Sequence, residues 1–113
     1  MNDLIIDLAE KTGLDRATIE KALGLIISFL DREDRSRKVT SLIDQIDGAR
    51  ALATVNDGRG GIFVLFTALT SAGLGMGEIK TVAVGFLDFA RNRIGAEPVD
   101  QILKSIPALA QFL

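Results

Sequence analysis

Residues sixty positions apart carry the same pattern, without a gap, from Leu4 set beside Val64 to Ala53 set beside Leu113. Gly13 falls on Gly73, Leu14 on Leu74, Ile19 on Ile79, Phe29 on Phe89, Val39 on Val99 and Ile46 on Ile106. Apolar positions also agree at Ile26 and Phe86, Ile27 and Leu87, Leu42 and Ile102, Ile43 and Leu103, and Leu52 and Phe112. Identity between the copies is low, but the pattern is continuous, and a continuous pattern at fixed period marks a unit built twice. A unit of about fifty residues buries too little surface to be relied on to fold alone. The expectation is therefore one domain over 1–113, with repeat 1 about 2–55, a Gly-rich linker 56–61 and repeat 2 about 62–113. Its expected fold is an all-α compact helical bundle of two tandem repeats, packed face to face with pseudo-twofold symmetry.

The centre of each copy is a short break, Thr12-Gly13-Leu14-Asp15 in the first and Ala72-Gly73-Leu74-Gly75 in the second. Ile5, Leu8 and Ala9 share one helical face ahead of the first break, with Asp7, Glu10 and Lys11 on the other. Gly13 stands where helices commonly end in a left-handed residue that glycine adopts cheaply. Asp15 is placed to cap the next helix, with Leu14 and Ile19 at the spacing of a hydrophobic staple. In the second copy Leu74 and Ile79 repeat the staple, Gly75 takes the cap position, and Glu78 falls at the third helical residue, near the positive end of the helix dipole. Anion binding at these helix starts is disfavoured, because Asp15 repels an anion there.

Taken in order, the pattern predicts a helix from Asn2 to Thr12 and a second from Arg16 to about Asp31. The second carries Ile19, Leu23, Ile26, Ile27 and Leu30 on one stripe, which Leu25 and Phe29 widen, while Glu20 and Lys21 face out. The run 31–38 mixes three acids with four bases and reads as a solvated helix end and turn. Val39, Leu42, Ile43 and Ile46 mark a third helix that Asp47-Gly48 ends, and 49–55 a short fourth. The linker 56–61 contains three glycines but no Gly-Lys-Ser/Thr ending and follows no strand, so it is read as a joint and not a phosphate loop. The stretch 62–71 has the β-branched and aromatic content of a strand, but its place in the repeat argues for a helix. Gly77 or Glu78 to Ile94 is the long helix of the second copy, ended by Gly95. Pro98 suits the first turn of the next helix, which carries Val99, Ile102, Leu103 and Ile106, and Pro107 opens a last turn through Phe112 and Leu113. The third helix of each unit is expected to close over its hairpin.

The first thirty residues, from Met1-Asn2-Asp3-Leu4-Ile5 through Ala9-Glu10-Lys11-Thr12-Gly13-Leu14 to Ile19-Glu20-Lys21-Ala22-Leu23, resemble the N-terminal helical hairpin of the bacterial HU/IHF histone-like family. That family continues into a sheet and long basic DNA-binding arms, and this chain does not, so the resemblance implies a packing hairpin and no DNA contact. Over nearly the whole chain, the Gly-Leu break, the amphipathic helix and the closing Ile46-Asp47-Gly48-Ala49 or Ile106-Pro107-Ala108-Leu109 are similar to small bacterial helical domains of unknown function. This resemblance implies a fold and no reaction.

Composition narrows the chemistry. The chain has no cysteine, histidine, tryptophan or tyrosine, so catalysis would have to use carboxylates, Lys, Arg, Ser or Thr. Missing cysteines fit a reducing compartment and the opening Met1-Asn2-Asp3 lacks a basic leader, which points to the cytoplasm. Net charge is −2, which does not attract nucleic acid. The apolar run 62–69, interrupted by Thr67, is far too short to span a membrane. Asp44 with Asp47, and Asp31 with Asp34, each lie three apart, a common surface arrangement and a weak magnesium or calcium site. Lys80 and Lys104 read as solubilising. No catalytic, cofactor-binding or metal residue is expected.

Apolar content of 48% is high for a small protein and suggests an apolar patch left for a partner. The expected function is thus a non-catalytic protein–protein interaction module, acting as a homodimer. Ile62, Phe63, Phe66, Phe112 and Leu113, with the short fourth helix, are the expected interaction surface. The phenylalanines Phe29, Phe63, Phe66, Phe86, Phe89 and Phe112 also read as core residues. One alternative is a carrier of a small apolar ligand between the repeats, where helical bundles often hold ligands. A second is a nucleoid-associated DNA-binding protein, prompted by the HU-like start.

Overall fold

A computed structural model of the chain describes residues 2–33, 44–45 and 61–106. Five helices have described bounds: α1 (Asn2–Thr12), α2 (Arg16–Glu33), α3 (Gly61–Ser71), α4 (Met76–Ile94) and α5 (Ala96–Ser105). Asp44 and Gln45 are also helical. Among the described residues there is no strand. The protein is all-helical, with a radius of gyration of 12.6 Å, close to the roughly 13 Å of a compact chain this long.

Each helix follows from local chemistry. Leu4, Ile5 and Leu8 put the buried stripe of α1 on one face. In α2 the buried set is Ile19, Ala22, Leu23, Ile26, Ile27, Phe29 and Leu30, wider than one stripe, because α2 packs against α1, α3 and α4. Ser28 on α2 is buried among them. The stretch that read locally as either strand or helix is α3. Its buried Leu65 and Leu69 are one turn apart, with Phe66 and Ala72 packed partly behind them. In α4 the buried residues are Ile79, Val82, Ala83, Phe86, Leu87 and Ala90, at helical spacing throughout. Gly95, with φ of 96°, ends α4, and its N–H reaches the Arg91 carbonyl at 2.9 Å. Pro98 lies in the first turn of α5, where a missing N–H leaves nothing unpaired. Val99, Ile102 and Ile106 are buried, so α5 closes against α4.

The two breaks end their helices differently. At the first, Gly13 has φ of 75° and its N–H bonds the Ala9 carbonyl at 2.9 Å, the single bond of a left-handed cap. At the second, Gly73 has φ of 106° and bonds the Thr70 carbonyl at 3.0 Å, while Leu74 N–H reaches back to Leu69 at 3.1 Å. Those two bonds are a Schellman ending, and buried Leu74 and Leu69 supply the apolar contact that accompanies it.

The first four helices share one core. α1 packs on α2 and across α4, α3 packs across α2, and α2 packs against α4. α3 makes little contact with α4, which follows it. α1 comes close to α4 at Gly85, where a Cβ would lie 2.7 Å from the Leu8 Cδ2. Only a residue without a side chain lets α1 come this near.

Several expected bounds shift slightly. α2 runs on to Glu33 instead of about Asp31, α4 begins at Met76, and α3 begins at Gly61, the last residue assigned to the linker. Ends of helices fray and are the least determined part of a pattern. Apart from Asp44 and Gln45, the segments expected to form a third helix and a short fourth lie outside the described residues, as do the rest of the expected linker and the expected last turn from Pro107. No helix among the described residues is long and apolar enough to cross a membrane.

Candidate functional site

α3 is the one helix of the five that carries no charged residue. Leu65 and Leu69 turn one face to the core, and the opposite face must then present whatever remains. What remains at its N-terminal end is Phe63, 81% exposed, beside Val64, 50% exposed. Phe63 is therefore no core residue, which corrects the expectation that all the phenylalanines are. Phe29 and Phe86 are buried, and Phe66 and Phe89 are partly buried against the core. Arg93 lies over the Phe89 ring with its guanidinium carbon 4.8 Å from the centroid, which covers that ring with a cation.

The polar residues on the Phe63 side of α3 are Thr67, Thr70 and Ser71, all exposed and uncharged. Thr67 stands one turn along from Phe63 and is exposed, but its hydroxyl donates to the Phe63 carbonyl at 2.9 Å. The hydroxyl is thus turned to the helix backbone. Of the five residues expected at an interaction surface, Phe63 is on the surface and Phe66 is partly packed. Ile62 belongs to the first turn of α3, and Phe112 and Leu113 lie outside the described residues.

A second feature is an open groove of about 340 Å³ between α1 and α4. Lys11 lines it from α1, and Gly77, Lys80, Thr81, Val84, Gly85 and Asp88 from α4. Lys11, Thr81 and Asp88 are engaged nearby. Lys11 Nζ is 2.9 Å from Asp7, Thr81 donates to the Gly77 carbonyl at 2.9 Å, and Asp88 accepts from Arg91 at 2.9 Å. Arg91 also approaches Asp100 of α5 at 3.7 Å. These are exposed pairs that stabilise little, and the groove brings no hydroxyl to a base.

The helix starts are filled from within the chain. Asp15 Oδ1 accepts the Thr18 N–H at 2.7 Å, and bonds from the Thr18 side chain and backbone hold the Asp15 carboxyl below its ordinary value. At α4 the Glu78 carboxylate accepts the Gly75 N–H at 3.2 Å. Since Gly75 has no side chain, this is the returning half of a capping box alone. A carboxylate already stands at each start, in keeping with a structural role for both breaks. Asp31 and Asp44 are exposed, and Asp34 and Asp47 lie outside the described residues, as do both expected carboxylate pairs as such. Among the described residues no three carboxylates gather as a metal site would need. Lys80 and Lys104 are exposed.

Compared with known proteins, the chain matches no family model, no curated protein and no solved structure. The reading of the surface therefore stands on the residues themselves. Sequence reasoning did not single out Gly85 or the groove beside it. The available signal was a glycine inside an otherwise regular helical pattern, which usually has a packing reason.

Proposed function

We propose that the protein is a non-catalytic interaction module of the cytoplasm, built from two copies of one helical unit, that self-associates as a homodimer through the Phe63 end of α3. The observation that carries this is an 81% exposed phenylalanine beside a half-exposed valine on a helix without charge. Aromatic side chains are enriched in protein interfaces because one ring buries a large area with few rotatable bonds. Covering a side chain of this size contributes about 1.5–3 kcal/mol, or roughly one to two decades in affinity per copy.

The two-unit reading is supported by helix bounds. Shifted by sixty residues, α1 and α2 superpose on α3 and α4 to within one residue at each end. Both breaks hold a glycine at positive φ. The crossing is reciprocal, with α1 on the second unit's α4 and α3 on the first unit's α2. The non-catalytic reading rests on composition, since the chain lacks histidine, cysteine and tyrosine.

Native mass spectrometry of the protein from its own host tests the proposal. A dimer mass, or a stoichiometric complex with another protein, supports an interaction module. A monomer carrying one small apolar compound would replace it with the carrier reading.

A further inference from the structure

We draw no further inference here: the strongest candidate, the apolar face at the N-terminal end of α3 that carries Phe63 and Val64, belongs to the surface already described, and nothing else in the structure shows what covers it.

Discussion

Gly73 and Gly77 stand four residues apart and meet opposite conformational demands. Gly73 has φ of 106°, where a Cβ is strained, so Gly73→Ala should destabilise the fold by about 1–2 kcal/mol. Gly77 lies in the first turn of α4 with nothing within 4 Å of an added Cβ. Gly77→Ala should stabilise by about 0.4–1 kcal/mol, by narrowing the freedom of the unfolded chain. Urea unfolding of the two variants checks this, with midpoints moving in opposite directions. Asp15 supplies a pH dependence. Its carboxyl is held below the ordinary value by the Thr18 side chain and then the Thr18 backbone N–H, so the fold favours the charged form. That contribution is complete above the unfolded value, near pH 4, and is lost as pH falls through the lower folded value. Asp15→Asn keeps an acceptor oxygen but does not titrate. Thermal unfolding followed from about pH 5 downward should therefore fall less steeply for the variant than for the wild type.

The crossing of α1 over α4 brings Leu8 against the backbone of Gly85. Gly85→Ala places a methyl 2.7 Å from Leu8 Cδ2, and Leu8 is fully buried, so it has little room to swing aside. Overpacking of about 1–3 kcal/mol should outweigh the roughly 1 kcal/mol gain in helix propensity. Leu8→Ala should lose about 2–5 kcal/mol. The double variant should be more stable than the sum of the two, because the new methyl enters the space Leu8 vacates. Denaturant titration of the four-member cycle measures that coupling, expected at about 0.5–3 kcal/mol. In α3 the two faces separate cleanly. Leu69→Ala should destabilise by about 2–5 kcal/mol, whereas Phe63→Glu, compared at dilutions where both proteins are monomeric, should stay within about 0.5 kcal/mol of wild type. The helices were legible wherever apolar spacing ran for several turns, as from Ile19 to Leu30 and from Ile79 to Ala90. α3 was locally ambiguous because Ile62, Val64 and the phenylalanines suit either helix or strand; its offset from 2–11 argued for helix, and the structure has it helical and packed on α2. The two kinds of helix ending were not legible, since a glycine marks the place without naming which carbonyls its neighbours will reach.

At the scale of the molecule, the sixty-residue offset carried more information than any motif. It placed Gly13 with Gly73, which both have positive φ, and Ile19 with Ile79, which are both buried. It did not reveal that positions sixty apart differ in cover: Leu4 is 6% exposed, and Val64 is half-exposed. A pattern of apolar residues reports which side chains avoid water, not which neighbour arrives to shield them. Phe63 illustrates this, since its place in an apolar run could not separate core from contact surface. Under the proposed self-association, stability and association belong to different faces of one helix. The most direct measurement is sedimentation equilibrium of the wild type and Phe63→Glu over a wide concentration range. The expected result is a wild-type dimer that the variant weakens by at least about tenfold, with unchanged folding. A wild type that stays monomeric at every concentration, or a dimer indifferent to Phe63→Glu, would contradict self-association through α3.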